Sequence, residues 1–416
     1  MKKHANILVW LCLGSLGAAI SLAQTPPAEN NCIKCHAEVE DENGPAHLFV
    51  KDIHFQRGLS CFDCHGGDPN LEDMDLVRKS PGYRGAPEHL DVPKFCARCH
   101  SDAKYMHEHN PGLPVDQYEK YLTSVHGTRL TQKKDLKVAT CVSCHTAHQI
   151  GSAKLPYSST YPKNIPATCG HCHSDSSYMA EYGIPTDQQD LYRKSVHGTA
   201  LLVNNDLGAP ACNGCHGNHG AAPPGITSLD AVCGMCHGIE SKLFDVSAHK
   251  PAFEAQGLPL CMTCHSNHLI VKPSDHFIGF DTGQICGTCH SADDQTPATA
   301  AIKTISSALS QLDAVSDSAA AAVKVASDKG MMTTDEEFAL KDIYQIQVQV
   351  RSSIHALAPD SVTPKAAEGV KKSEEVTKKA AGLVDEYYFR RWGLGISSII
   401  ITLLALALYL KIRSLE

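Results

Sequence analysis

The chain has 416 residues, of which 43% are apolar, only 6% aromatic and 20% charged, with thirty glycines and twenty-two prolines. Its formal net charge of −8 argues against nucleic acid or an anionic membrane surface as a partner, and for proteins that dock through patches of opposite sign. So few aromatic residues beside so much glycine and proline leave little from which to build an ordinary core.

At the start, Lys2, Lys3 and His4 precede an apolar run from Ile7 to Ala23, and the small residues Ser21 and Ala23 stand before Gln24. This pattern predicts a secretory signal over residues 1–23, with an uncleaved anchor as the alternative. Cys12, inside the run, lacks the small residues expected before a lipid-modified cysteine and reads as a thiol lost with the signal.

Cys-x-x-Cys-His then occurs nine times and takes eighteen of the nineteen cysteines. The copies are Cys32, Cys35, His36; Cys61, Cys64, His65; Cys96, Cys99, His100; Cys141, Cys144, His145; and Cys169, Cys172, His173. Four more follow as Cys212, Cys215, His216; Cys233, Cys236, His237; Cys261, Cys264, His265; and Cys286, Cys289, His290. The pentapeptide is the c-type haem attachment site, in which thiols at i and i+3 bond the two vinyl groups of a porphyrin and the histidine takes the iron. Structural zinc would space its histidines differently, a thioredoxin-like site would show one pair, and a disulfide framework gives no reason for the histidine. Nine covalently bound haems are therefore expected over residues 24–290, one for about 29 residues between Cys32 and His290. A segment of that length cannot close a core of its own, so the porphyrins must be the core, wrapped by short helices and irregular loops.

The motifs repeat in pairs. Phe95–Leu130, FCARCHSDAKYMHEHNPGLPVDQYEKYLTSVHGTRL, matches Thr168–Leu201, TCGHCHSDSSYMAEYGIPTDQQDLYRKSVHGTAL. A looser unit of upstream histidine, first motif, trailing histidine and second motif recurs four times, as in an array whose units stack on their neighbours. The upstream histidines are His54, His126, His197 and His249, and the trailing ones, in CHxxH, are His148, His219 and His268. Their fixed places make these seven the candidates for second axial ligands. A CHxxH histidine is too close in sequence to reach the far side of its own iron, so it should serve a neighbouring one. Two ligands remain to be found among His47, His89, His107, His109 and His276, and position favours His89 and His276. His171 lies between two motif cysteines and points away; Met106 and Met179 read as packing rather than as thioether ligands.

Residues 291–391 turn to Ala, Ser, Val, Lys and Asp, with one histidine, His355. Thr296–Pro297 caps a helix whose stripe runs Ile302, Ile305, Leu309, Leu312, Val315, Ala319, Ala322, Val325 and which Gly330 follows. Thr334 with Glu337 opens a second, ended by Pro359, and Thr363–Pro364 a third. This three-helix segment is a spacer, or a dimerisation or docking face. Residues 392–410 hold an uncharged eighteen-residue stretch, Gly393–Leu410, that as a helix spans about 27 Å and would cross a bilayer. Arg390, Arg391 and Trp392 mark one interface and Tyr409, Lys411 and Arg413 the other, leaving residues 411–416 as a cytoplasmic tail. The fold class expected is mainly α.

With its SVHG and CHxxH elements between haem motifs, the segment 32–290 resembles the membrane-associated, class III-like multihaem c-type cytochromes of bacterial respiration. That resemblance implies electron transfer between an integral membrane quinol-oxidising subunit and periplasmic cytochromes, from a single-pass position in the inner membrane with the haems in the periplasm. The alternative is a multihaem oxidoreductase of the nitrite reductase or hydroxylamine oxidoreductase type. All nine motifs end in histidine and fourteen further histidines follow the signal, so ligands are abundant enough to close every iron. This favours an electron-transfer protein over an enzyme.

Overall fold

A computed structural model describes residues 30–220, 222, 229–274 and 277–415. The expected signal over residues 1–23 and the candidate ligand His276 lie outside these. Every regular element among the described residues is helical, and none is a strand. The chain divides into two compact units: residues 1–169 with 219–221, and residues 170–218 with 222–416.

The haem motifs fall on or at the ends of short helices, which put the i and i+3 thiols on one face. Several, such as Cys61–His65 and Cys141–His145, are five residues long, too short to persist unaided. Local capping holds them. The Ser60 N–H donates to the Asp63 carboxylate at 2.7 Å and the Thr140 N–H to the Ser143 hydroxyl at 3.0 Å, the third helical side chain reaching back to the N-cap backbone in each. The residue after the motif histidine then takes a left-handed φ, 70° at Gly66, 66° at Thr146, 76° at Gly217 and 63° at Ser266. For Thr146 and Ser266 this is strained backbone. It turns the chain away from its own motif, so that the second histidine of CHxxH leaves the neighbourhood of the first.

Apolar burial is sparse in this region. Among the described residues 30–290, eleven apolar side chains are buried, against fourteen in the far shorter stretch from Ile305 to Ala380. The haem-motif segments lack the side chains to exclude water by themselves.

The second unit ends in three long helices, Pro297–Asp328, Thr334–Ser353 and Pro359–Arg413. Ile305, Leu309, Leu312, Ile346, Val350, Val362 and Ala366 form one core, and Ala319, Val323, Ile343, Val376 and Ala380 a second. Beyond Leu312 the buried stripe runs Ser316, Ala319, Val323, Ala326 rather than through Ala322 and Val325, and Val325 is exposed. Small residues permit this register. A Cβ on Gly369 would stand 2.6 Å from Leu312 Cδ1, and the buried hydroxyls of Ser316 and Ser373 meet at 3.3 Å.

The helix starts differ from expectation in two places. Thr333 rather than Thr334 is the N-cap of the second helix, with its hydroxyl donating to Glu337 at 2.8 Å. The third helix opens at Pro359, whose missing N–H costs nothing at the first position, and Pro364 lies inside it. That helix continues unbroken for 55 residues into the apolar stretch, whose best window has a mean hydropathy of 2.2 and none of it buried. It is long and apolar enough to cross a membrane and fits a single-pass anchor.

Candidate functional site

The SVHG element shows why the sequence repeats. Ser124 caps Val125–Lys133: its Oγ accepts from the Gly127 N–H at 3.0 Å and donates to the Tyr121 carbonyl at 2.6 Å. Ser195 makes the same two bonds with Gly198 and Tyr192 at 3.0 and 2.6 Å. A Cβ on Gly127 or Gly198 would come within 2.0 Å of those tyrosine carbonyls, so only glycine fits. The tyrosine hydroxyls in turn donate to the carbonyls of Ala139 (2.8 Å) and Pro210 (2.9 Å), two residues before the next motif. The histidine of each SVHG is thus pinned at a helix start against the motif that follows.

Around this scaffold, motif histidines face histidines from elsewhere in the chain. In the first unit His100 faces His54 with ring centres 5.9 Å apart, His65 faces His148 at 6.0 Å and His145 faces His219 at 6.1 Å. In the second, His237 faces His197 at 6.2 Å, His216 faces His268 at 5.8 Å, His290 faces His249 at 5.9 Å and His265 faces His355 at 6.0 Å. A ligating imidazole nitrogen sits about 2 Å from its metal, and two rings on opposite sides of one iron then have centres about 6 Å apart. The distance is constant while the angle between ring planes runs from 7° for His145–His219 to 80° for His54–His100. Ring stacking would select the tilt; axial ligation leaves each ring free to rotate about its metal–nitrogen bond. Each CHxxH histidine faces another motif's histidine, never its own.

Tautomers sort the remaining candidates. His54 Nδ1 donates to Asp52 at 2.8 Å, His65 Nδ1 to the Gly85 carbonyl at 2.9 Å and His36 Nδ1 to Glu40 at 2.7 Å, which leaves Nε2 with its lone pair. His89, expected as a ligand, instead donates from Nε2 to the Val138 carbonyl at 2.9 Å and braces the chain before the fourth motif. His47 Nε2 likewise lies 3.2 Å from the Ala37 carbonyl. His126 occupies the same helix-start position as His197. Met106 and Met179 are buried side chains. The ligand candidate that sequence reasoning passed over is His355. It stands alone in a helical segment far from any motif, and no local signal marks it.

Burial holds the imidazoles of His100, His145, His148, His173, His197, His216, His219, His249, His265 and His268 below the usual histidine range, which favours the neutral, ligating form. The eighteen motif cysteines are free thiols, available for thioether bonds. Those of consecutive motifs abut: Cys96 and Cys141, and Cys233 and Cys261, lie within hydrogen-bonding reach. Among the described residues no three His, Cys, Asp or Glu side chains converge as a bare metal ion would require. Two imidazoles with a gap between them, beside paired thiols, is the donor set of a porphyrin iron.

Residues 53–174, under a third of the chain, match the family model for cytochrome c3. The chain is a multihaem c-type cytochrome. The matched segment opens one residue before His54 and closes one after His173, and so takes in four motifs together with His54, His126 and His148. No curated protein and no solved structure matches the cytochrome. It carries covalently bound haem c, and its chemistry is electron transfer.

One backbone bond occurs in equivalent form within each unit of this cytochrome. Ile53 N donates to Ile150 O at 2.8 Å and Val196 N to Ile270 O at 2.9 Å. Each joins the residue before an upstream histidine (His54, His197) to the residue two beyond a CHxxH histidine (His148, His268). Ligand candidates for two different motifs are thereby held side by side.

Proposed function

We propose that this cytochrome is a nine-haem electron conduit with both axial faces of its irons closed by histidine. It would be anchored by its C-terminal helix with the haem region in the periplasm, and pass electrons from a membrane quinol-oxidising subunit to periplasmic redox carriers. The observation that carries the reading is the recurrence of facing imidazoles, one from a Cys-x-x-Cys-His motif and one from elsewhere, at 5.8–6.2 Å. Haem c held there supplies one-electron exchange between ferric and ferrous iron. The chain's part would be to offer two imidazoles to each iron, as His65 with His148 and His216 with His268 are placed to do, and so to keep substrate and water from the metal. It also fixes the rings through Nδ1 bonds such as His54 to Asp52, and ties neighbouring ligand segments together so that the centres keep their spacing. A membrane partner fits because one apolar helix cannot enclose a quinone, and acidic surface favours basic redox partners.

The test is carbon monoxide added to the fully reduced protein, with nitrite and hydroxylamine turnover assayed alongside. The expected result is a nearly unchanged absorption spectrum and no turnover. Stoichiometric uptake at one haem together with turnover would replace the conduit by an oxidoreductase.

A further inference from the structure

We infer that His355, on the C-terminal helical bundle, is the second axial ligand of the iron whose first ligand is His265. The inference rests on the facing-imidazole reading above. The ring of His355 meets that of His265 at 6.0 Å and 23°, inside the range set by the other pairs. Its Nδ1 donates to the Ser352 carbonyl at 3.0 Å, so Nε2 holds the lone pair, as in His54 and His65. His89 and His47, which face no motif histidine among the described residues, have Nε2 engaged by carbonyls.

The seat of His355 is built. It sits on the turn Ile354–Ala356, which closes on Leu357 at a left-handed φ of 53°. The preceding Ser352 donates to Glu240 at 2.6 Å, on the helix Gly238–Asp245 directly after the seventh motif. Ile278, thirteen residues beyond His265, packs on the upper bundle core with Ile354. The ordinary role of a histidine at a helix end is to cap carbonyls, and the Nδ1 bond does that. Capping leaves unexplained why the ring stands opposite a motif histidine at the spacing the other pairs keep.

Two consequences follow. The three-helix bundle is not a passive spacer, since a coordinate bond joins it to the haem array. The iron is also held at the start of the 55-residue helix, and from Pro359 to Gly393 that helix rises about 50 Å before its apolar stretch begins. This haem is therefore held at the bundle end remote from the membrane segment. It exchanges electrons with the other haems or with extramembranous partners, not with a centre inside the bilayer.

The test uses the full-length haem-loaded protein and electron paramagnetic resonance. His355→Ala should convert one haem per chain from low spin to high spin, added imidazole should reverse the change, and His89→Ala should do neither. His355→Met keeps a ligand in place, so it tests the assignment even if the alanine variant folds poorly. It should raise the potential of one haem and add the absorption of histidine–thioether ligation. His249→Ala serves as reference for the pairing itself. If it opens one iron while both His355 variants retain wild-type spectra and potentials, His355 is only a cap and the inference fails alone. If neither His249→Ala nor His355→Ala opens an iron, the facing-imidazole reading fails and takes this inference with it.

Discussion

Replacing Asp52 by Asn removes the negative charge behind His54 at almost constant volume. The wild-type carboxylate is 1% exposed and fully used: Oδ1 accepts from His54 Nδ1 and from the His54 backbone N–H, both at 2.8 Å, and Oδ2 accepts from Ile150 N–H at 2.7 Å. Asparagine can keep the first two bonds through its oxygen, but its amide nitrogen then faces the Ile150 N–H, donor against donor. Leaving that buried N–H unpaired and exchanging a charged acceptor for a neutral one costs about 2–3 kcal/mol of stability. The electronic effect is separate. A carboxylate on Nδ1 strengthens the ring as a donor and stabilises ferric iron. Losing about 1–2 kcal/mol of that preference raises the potential of the haem between His54 and His100 by about 40–90 mV, since 59 mV corresponds to a tenfold change for one electron. Low spin should persist, because His54 stays in place.

The assay is a redox titration followed by visible absorption, paired with thermal unfolding across pH. Burial pushes the Asp52 carboxyl up, but the hydrogen bonds from the His54 side chain and from the His54 and Ile150 backbones outweigh it and hold the group below the usual carboxylate range. Its stabilisation is fully present above the unfolded value of about 4 and is lost as pH falls through the folded one, a loss the asparagine variant should not show. A titration superimposable on wild type, or a shift to lower potential, would refute the argument.

Other consequences can be checked directly. His126→Ala and His197→Ala should each open one iron and give a high-spin resonance, and purely low-spin spectra in both would remove these residues from the ligand set. Gly198→Ala drives a Cβ to 2.0 Å from the Tyr192 carbonyl and should cost upwards of about 2 kcal/mol, lowering Tm; an unchanged Tm would show that the close approach is relieved. Truncation after Phe389 should release a soluble haem protein that retains His355, whereas protein remaining in washed membranes would reveal a second anchor.

Much of this cytochrome is local and therefore legible in the letters. Cys-x-x-Cys-His is read within five residues because its chemistry needs thiols one helical turn apart and a histidine beside them. The helix caps at Thr296 and Pro297 and the apolar run after Trp392 are equally local signals, governed by hydrogen-bonding capacity and hydropathy along one segment. Pairing is different in kind. That His148 meets His65, that His219 meets His145, and that His355 rather than His89 stands opposite a motif histidine depend on where distant segments come to rest. A histidine that braces a carbonyl and one that ligates iron are the same letter. Only the tertiary structure decides which nitrogen a carbonyl engages and which rings come to stand opposite a motif histidine.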